Sequence, residues 1–265
     1  MAKNKYALVT VAVDVDHYIS RTGPIFASYA KRHGMDYHAY ATPSFFYHPI
    51  LKLLHFTNRF RVLRRLNQYF GTSRYWILRQ KLVAMTRFLK RYDRIIYLDA
   101  TCVIHPDCPK LLELVPETQL GAVNEVNCGR NLSTAELEDF EKAYGKYSSE
   151  AWVKRTWLNS GVLVLSKCHR KLVRPPWKLS RYSVYGDQGY LNAQIQRHSA
   201  PIHELGQEYN LIGSRIPSYL STPKLNDVRI AHVTGGYPGD RTDCIDTITE
   251  EWYGRSGEGQ KVAQN

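Results

Sequence analysis

The feature that most constrains this chain is a short apolar run that ends in a carboxylate, within the stretch Asp93-Arg94-Ile95-Ile96-Tyr97-Leu98-Asp99-Ala100-Thr101. Residues 95–98 are apolar, rich in β-branched and aromatic side chains, and follow a helical pattern, which predicts a buried parallel strand. Ligands of open α/β sheets bind where such strands end, so Asp99 is expected at a ligand site. Asp99 with Thr101 suits a hard divalent cation that carries a diphosphate. The alternative is that Asp99 only caps the next turn.

The order of the predicted elements indicates the α/β class. Residues 6–13 read as a first strand, residues 22–32 as a helix that Gly34 would end, and residues 36–40 as a second strand, which begins a βαβ series. We therefore expect one domain over residues 1–253, with a mostly parallel twisted sheet flanked by helices, and a polar tail over 254–265. Further strands are predicted at 120–126, 157–165, 202–205 and 228–233, and further helices at 76–92, 109–114, 133–147 and 187–196. Ser133-Thr134-Ala135-Glu136 reads as a capping box that opens the helix at 133–147.

The positive charge of the chain, a formal net +12, is concentrated in one region. Between Phe45 and Arg94 there are twelve cationic side chains and a single carboxylate, Asp93. Such a patch indicates an anionic partner, namely phospholipid head groups, nucleic acid or a phosphorylated glycan. The alternative is a solvated helical face without a partner. The cations are Lys52, Arg59, Arg61, Arg64, Arg65, Arg74, Arg79, Lys81, Arg87, Lys90, Arg91 and Arg94.

Within this region, residues 45–70 interrupt the βαβ pattern. Apolar residues alternate with arginines at roughly helical spacing, which predicts a basic amphipathic helix or helix pair. Such a helix can lie on a membrane surface, or it can pack its apolar face on the domain and present arginines to a polyanion.

Cysteine usage and the absence of long apolar runs bear on location. The five cysteines include no CxxC pair, and no signal peptide is recognised, which favours reduced thiols in a cytoplasm and argues against structural zinc. No apolar run is long enough to span a bilayer. We expect a cytoplasmic protein, with peripheral membrane association as an option.

Four segments, the first of which contains Asp99, together form a recognisable set. They are Tyr97-Leu98-Asp99-Ala100-Thr101, Leu158-Asn159-Ser160-Gly161-Val162-Leu163-Val164-Leu165, Gly186-Asp187-Gln188-Gly189-Tyr190-Leu191-Asn192 and Ala231-His232-Val233-Thr234-Gly235. In this order and spacing, the set resembles the GT-A (Rossmann-like) nucleotide-sugar glycosyltransferases. It is most similar to the retaining family 8 type, and the yeast-type galactosyl and mannosyl transferases come next. Residues 1–101 would be the nucleotide-binding half, with 45–70 as an insertion, and residues 102–253 the acceptor and sugar half.

The resemblance implies a site for Mn²⁺ or Mg²⁺ that bridges the diphosphate of the donor. Asp99 matches the first acid of the family's Asp-x-Asp motif, and His232 matches its histidine ligand. Thr101 replaces the second acid, and a neutral hydroxyl is a poorer ligand for these ions. Asp14-Val15-Asp16 is also an Asp-x-Asp, but it follows the first strand, where the family binds base and ribose.

The resemblance also implies a donor pocket and a reaction centre. Uracil is the usual base, so the expected donor is a UDP-sugar. Gly235 and Gly236 would let backbone amides approach phosphates, and Lys81 or Arg241 would support charge on the leaving phosphate. Asp187 could equally serve as a helix N-cap. Base and ribose candidates are Thr10, Ala12, Asp14 and Tyr18, and Asn159, Asp187 and Gln188 are the candidates for the sugar and reaction centre.

These observations leave three functions open. The first is a retaining glycosyltransferase with a UDP-sugar donor and an anionic acceptor, a membrane glycolipid or phosphorylated glycan. The second places the sugar on nucleic acid, such as a modified base in DNA, because aromatic residues interleave with the cations of the basic segment. The third is a sugar-nucleotide-binding protein without turnover, suggested by Thr101.

Overall fold

The computed structural model describes residues 5–12, 15–41, 72–145, 149–175, 185–220, 222–234 and 237–254, without the side chains of residues 72–78. Several sequence-based predictions lie outside these residues. They concern Asp14, Gly235, Gly236, the basic helical insertion at 45–70 and the tail from 255 onwards.

A six-stranded sheet forms the centre of the molecule, in the order β2-β1-β3-β6-β5-β7. β6 runs antiparallel to β3 and β5, and the remaining pairs are parallel, so five of the six strands share one direction. This confirms the predicted α/β fold. The strands are β1 (Tyr6–Val11), β2 (Asp36–Tyr40), β3 (Arg94–Leu98), β4 (Cys102–Ile104), β5 (Leu120–Val123), β6 (Val162–Ser166), β7 (Ile202–Leu205), β8 (Leu211–Ile212) and β9 (Ile230–His232).

Two predicted helix ends have the expected chemistry. Ser133 and Glu136 form the capping box that starts α4, and Gly34, with φ +65°, follows the end of α1. The helices are α1 (Asp16–Arg32), α2 (Thr72–Phe88), α3 (Leu111–Leu114), α4 (Thr134–Tyr144), α5 (Glu150–Val153), α6 (Gly186–His198) and α7 (Arg241–Thr249), with 3₁₀ turns at Lys167–Lys171, Gln207–Tyr209, Ile216–Ser218 and Pro223–Asp227 and a π-helical turn at Glu250–Gly254.

Both faces of the sheet are buried, because alternate residues of each central strand enter different cores. In β3, Ile96 and Leu98 pack on the α1 side, whereas Ile95 and Tyr97 pack on the α2 and α6 side. This explains why residues 95–98 of β3 are all apolar instead of alternating with polar residues. The same two-sided burial holds Asp99 firmly at the end of the strand.

A second, three-stranded sheet in the order β4-β9-β8 brings the C-terminal part of the chain to the same edge. β4 follows Asp99 almost directly, and its first residue, Cys102, pairs with His232 of β9. The antiparallel pairing therefore positions the His232 side chain beside Asp99.

Two predicted boundaries were wrong for identifiable reasons. The strand predicted over 157–165 begins only at Val162, because the Asn159 side chain accepts the backbone N–H of Gly161 and makes a local turn instead. α1 begins at Asp16 instead of Thr22. The Thr22 hydroxyl lies 2.9 Å from the Ala100 carbonyl, so it links the helix to the turn after β3 instead of capping.

None of the helices in the described part of the chain combines the length and apolarity needed to cross a membrane.

Candidate functional site

Asp99 lies at the centre of a polar cluster at the carboxyl end of β3. Its Oδ1 accepts a hydrogen bond from the Tyr97 hydroxyl at 2.8 Å and lies 3.0 Å from Lys81 Nζ. Its Oδ2 lies 3.4 Å from His232 Nε2. The Asp99 side chain is 30% exposed, so the carboxylate is accessible from the sheet edge.

Lys81 joins Asp99 to Asp187. Its ammonium lies 2.9 Å from Asp187 Oδ2 and donates to the Ser160 hydroxyl at 3.1 Å, and Ser160 in turn donates to Asp187. Asp187 is presented by the first turn of α6, where Gly186 adopts a φ of +53° that L side chains rarely adopt. The side chains of Lys81 and Asp187 are less than 10% exposed, so this ion pair is buried.

The electrostatics of the cluster favour the charged forms of Lys81 and Asp99. Burial alone would lower the pKa of Lys81, but Asp187 and Asp99 outweigh burial and raise the pKa above its ordinary value. Burial alone would raise the pKa of Asp99, but Lys81 and His232 hold it well below its usual range. Burial and the neighbouring Asp99 raise the pKa of Tyr97, which therefore stays a hydrogen-bond donor.

A chain of side-chain amides determines how His232 is oriented. Asn159 Oδ1 accepts the Gly161 N–H at 2.7 Å and Asn210 Nδ2 at 2.8 Å. The amide of Asn210 must therefore turn its oxygen towards His232 Nδ1, 3.0 Å away. An oxygen acceptor at this place requires a proton on Nδ1. His232 Nε2 is then the ring nitrogen that faces Asp99 Oδ2, 3.4 Å away.

Gly161 lets the His232 ring approach the backbone of the turn before β6. A Cβ at this position would overlap the ring atoms of His232. The backbone carbonyl of Gly161 also accepts the N–H of Asp99 at 2.8 Å. The turn Asn159-Ser160-Gly161 therefore lies against Asp99, Lys81, Asp187 and His232.

Two of the predicted reaction-centre residues, Asn159 and Gln188, contact Glu125, which lies shortly after β5. Its Oε1 accepts from Asn159 Nδ2 at 2.5 Å and from Gln188 Nε2 at 3.2 Å, and Arg130 Nε lies 3.6 Å from Oε2. Glu125 is buried, and Asn159 connects it to the Asn210–His232 chain. Asn159, Asp187 and Gln188 therefore lie in one connected polar network.

The predicted nucleotide residues that the structure describes lie in β1, directly after it, in α1 and at the start of α7. Thr10 is fully buried, and its hydroxyl has no hydrogen-bond partner among the described residues. Ala12 lies just beyond β1 and donates its N–H to Tyr40. Arg241, at the start of α7, places its guanidinium carbon 5.2 Å from the centre of the Tyr18 ring. This pair lies apart from the contacts of the Asp99 cluster.

Thr101, the third predicted metal ligand, is buried, and its carbonyl accepts the N–H of Val233 at 3.0 Å. Among the described residues, no group of three or more His, Cys, Asp or Glu side chains is arranged to hold a metal ion. A metal held here would therefore depend on Asp99 and His232.

Sequence reasoning missed Glu125, Asn210 and Tyr97 as members of the site. A signal existed for Glu125, because a carboxylate after the apolar strand residues Leu120–Val123 resembles the Asp99 pattern. Tyr97 reads as an ordinary buried aromatic residue. No sequence motif surrounds Asn210, so only the folded structure shows its contact with His232.

Comparison with known proteins defines the fold. No protein-family model and no curated protein matches this chain. Among solved structures, it is similar to a glycosyltransferase involved in glycosylation of the major capsid of PBCV-1, with TM-score 0.57, 10% identity, and coverage of 92% of this chain and 98% of that one. It is also similar to the galactosyltransferase LgtC in complex with donor and acceptor sugar analogues, with TM-score 0.51, 14% identity, and coverage of 93% and 96%.

The bifunctional glycosyltransferase WbbM matches with TM-score 0.52 and 15% identity, over 98% of this chain and 51% of that one. At these identities the likeness concerns the fold. The chain therefore has the fold of the GT-A glycosyltransferases.

Proposed function

We propose that this chain transfers a sugar from a nucleotide-sugar donor, a UDP-sugar, to an acceptor hydroxyl with retention of configuration. The observation that carries the proposal is the cluster of Asp99, Lys81, Asp187 and His232 at the carboxyl edge of a GT-A sheet. This edge is where ligands of α/β sheets bind. A strand-end Asp that only capped a turn would not require a buried lysine and a histidine beside it.

The residues of the cluster fit a divalent cation. Asp99 Oδ2 and His232 Nε2 lie 3.4 Å apart, and two neighbouring ligands of an octahedral ion, each about 2.1 Å from it, are about 3 Å apart. Asp99 and His232 would hold Mn²⁺ or Mg²⁺, and phosphate oxygens and water would complete its coordination. The bound ion would neutralise charge on the diphosphate. Thr101 can contribute at most a neutral oxygen.

Lys81 would assist the same charge through its electrostatic field, because its three N–H groups are already directed at Asp99, Asp187 and Ser160. Its ammonium is buried between two carboxylates, so its position is fixed before a donor binds. When the bond between the anomeric carbon and the phosphate oxygen breaks, the departing oxygen gains negative charge. We assign Lys81 the role of stabilising that charge, with Arg241 at the nucleotide side.

The contacts of the two buried carboxylates favour a front-face route. Asp187 is ion-paired with Lys81 and accepts from Ser160, and Glu125 is held by Asn159 and Gln188. Carboxylates engaged in this way are weak nucleophiles. In the front-face route, the acceptor oxygen bonds to the anomeric carbon on the side that the diphosphate leaves, and the acceptor proton passes to a leaving phosphate oxygen. Asn159 and Gln188 would then orient the sugar.

The nucleotide would lie along the end of β1. The Arg241–Tyr18 pair offers a cationic, aromatic surface for base and ribose. The Thr10 hydroxyl has no partner among the described residues but is fully buried, so a nucleotide would reach it only after neighbouring side chains had moved. Ala12 adds a small residue at the same edge. The roles proposed for Asp14, Gly235 and Gly236 rest on the sequence resemblance alone.

For the acceptor, we propose an anionic glycan or glycolipid contacted by the basic segment 45–94. The support is its charge, twelve cations against one carboxylate. Transfer to nucleic acid is the alternative acceptor class. Comparing salt-dependent binding to DNA with binding to anionic liposomes distinguishes them.

A sugar-nucleotide-binding protein without turnover is the second candidate function. The observation in its favour is that both Asp99 oxygens face side chains of the protein, while Thr101 provides no second acid. Such a protein would bind the donor but would not hydrolyse it.

A thermal-shift screen of nucleotide sugars, with and without Mn²⁺, tests donor binding. A ligand that binds the folded state raises the melting temperature by mass action. We expect a UDP-sugar to stabilise the protein in Mn²⁺, and Asp99→Asn to remove most of the shift. Asp227→Asn, at an exposed position whose side chain forms no ion pair with the described residues, is the matched control and should retain the shift. No stabilisation by any nucleotide sugar would contradict the proposal.

A further inference from the structure

A second charged feature lies at the opposite edge of the main sheet. It is an open cavity of about 500 Å³, here called the basic cavity. Five of its seven lining residues are cationic, and none is a carboxylate. The lining residues are Thr86, Lys90, Lys167, Cys168, Arg170, Lys171 and Arg174.

The basic cavity is separate from the Asp99 cluster. β6 runs antiparallel to β3, so Ser166, which precedes the cavity residues, pairs with Arg94 at the start of β3, whereas Asp99 follows its end. At about 3.3 Å per strand residue, the two ends are roughly 15 Å apart. A ligand in the cavity would therefore not compete with a donor at Asp99.

The walls of the cavity are anchored to the core. In the 3₁₀ turn Lys167–Lys171, His169 is buried and its Nδ1 accepts the backbone N–H of Ser166. The Thr86 hydroxyl of α2 donates to the Val173 carbonyl at 2.8 Å, which ties the opposite wall to this segment. Because residues three apart eclipse each other in a 3₁₀ turn, Lys167 and Arg170 project from the same side.

Most of the positive charge in the cavity is not neutralised. Lys167 pairs with Asp93 at 2.7 Å. Lys90, Arg170, Lys171 and Arg174 are exposed and form no ion pair with the described residues. Four like charges around one concave surface repel each other unless an anion is present.

We infer that the basic cavity binds a compact ligand that carries several phosphate groups, the chemistry shared by polyphosphorylated sugars and phosphoinositide head groups. A volume of about 500 Å³ is in the range of small-ligand pockets. Lysines act as point-charge phosphate binders, and arginines bind phosphate oxygens in pairs. Among the described residues, no aromatic side chain lines the cavity, so this part of it offers no surface on which nucleic-acid bases could stack.

Cys168 provides a direct reporter, because it is the exposed cysteine of the chain and lines the cavity. The full chain is treated with a maleimide, with and without inositol hexakisphosphate, at about 0.15 M salt and without divalent metal. Mass spectrometry then measures modification at Cys168. We expect the probe to slow this modification at least fivefold. Modification of Cys168 at the same rate with and without the probe would overturn the inference.

A charge-reversal variant tests whether the cationic residues of the basic cavity determine its affinity for inositol hexakisphosphate. Arg170→Glu with Lys171→Glu should weaken binding of inositol hexakisphosphate at least tenfold. Lys31→Glu with Lys224→Glu changes the net charge equally at exposed positions outside the cavity, and should change affinity less than about threefold. Equal losses in both double variants would show a general charge effect and overturn the inference. If the reversed variant unfolds, Arg170→Ala with Lys171→Ala replaces it.

Two parallel arms identify the source of the phosphate groups. One measures binding of the soluble hexakisphosphate, and the other measures cosedimentation with vesicles that contain a phosphatidylinositol phosphate. Vesicle binding that Arg170→Glu with Lys171→Glu abolishes supports a lipid head group as the ligand. Soluble binding without vesicle binding supports a free phosphorylated metabolite. Absence of binding in both arms contradicts the site.

Discussion

At the scale of single residues, the orientation of His232 depends on an amide that touches neither donor nor metal in the proposed site. Asn210 accepts from His232 Nδ1 and donates to Asn159, so its oxygen and nitrogen cannot exchange places without losing both bonds. Partners of this kind fix the tautomer and the ring plane of a metal-binding histidine. Asn210 is therefore a positioning residue.

Replacing Asn210 with Ala should lower the affinity for Mn²⁺ by about 10–100-fold, because the tautomer of His232 is no longer fixed. Titration calorimetry with Mn²⁺ measures the affinity, and nitrogen NMR of the His232 ring reports the tautomer without any turnover. Asn226→Ala, which removes an exposed amide in the 3₁₀ turn Pro223–Asp227, is the control. Unchanged Mn²⁺ affinity and an unchanged tautomer in folded Asn210→Ala would refute the positioning role.

Gly161→Ala should disturb the site by steric overlap, because its Cβ would occupy the space of the His232 ring. We expect a loss of about 1–3 kcal/mol in the free energy of unfolding, typical of overpacking, together with loss of Mn²⁺ binding. Urea denaturation and calorimetry measure the two effects. Gly254→Ala, where no atom of the described residues lies within 4 Å of the added methyl, is the matched control. Normal stability and normal Mn²⁺ binding in Gly161→Ala would contradict the close packing.

At the scale of elements, α2 and α6 meet through the buried pair Lys81 and Asp187, on the face of the sheet where both helices pack. Removing one partner of such a pair leaves a buried charge uncompensated. Lys81→Met should therefore cost on the order of 3–5 kcal/mol in the free energy of unfolding without metal. Lys81→Met with Asp187→Asn should cost clearly less than the sum of the single changes.

Urea denaturation of the four proteins measures this coupling. The exposed pair Lys154 and Glu150, 2.6 Å apart, provides the control cycle and should show a coupling below about 1 kcal/mol. If the two cycles give equal coupling, the Lys81–Asp187 pair does not hold the helices together.

Sequence patterns predicted those elements whose signals lie in neighbouring residues. The apolar run of β3 and the capping box of α4 were predicted correctly because their signals are local. The strand predicted through Asn159 was wrong because a side chain competes with the ladder. Contacts such as Asn210 with Asn159 join residues 51 positions apart, and no local pattern encodes them.

At the scale of the whole molecule, two charged features lie at opposite ends of the strands of the main sheet. Its carboxyl edge carries the Asp99 cluster, and its opposite edge carries the basic cavity. The fold class followed from the alternation of strand and helix patterns, whereas the place of the basic cavity depends on the antiparallel insertion of β6. A parallel β6 would have placed Lys167 and Arg170 at the same edge as Asp99.

The most direct test of the central claim is release of nucleotide from a panel of nucleotide sugars, measured by chromatography with and without Mn²⁺. We expect metal-stimulated release of UDP from at least one UDP-sugar, a loss of at least a hundredfold in Asp99→Asn, and normal release in Asp227→Asn. Binding of a UDP-sugar without any release would favour the non-catalytic alternative. Equal release by Asp99→Asn and the unaltered protein would contradict the assignment of Asp99 and, with it, the proposed site.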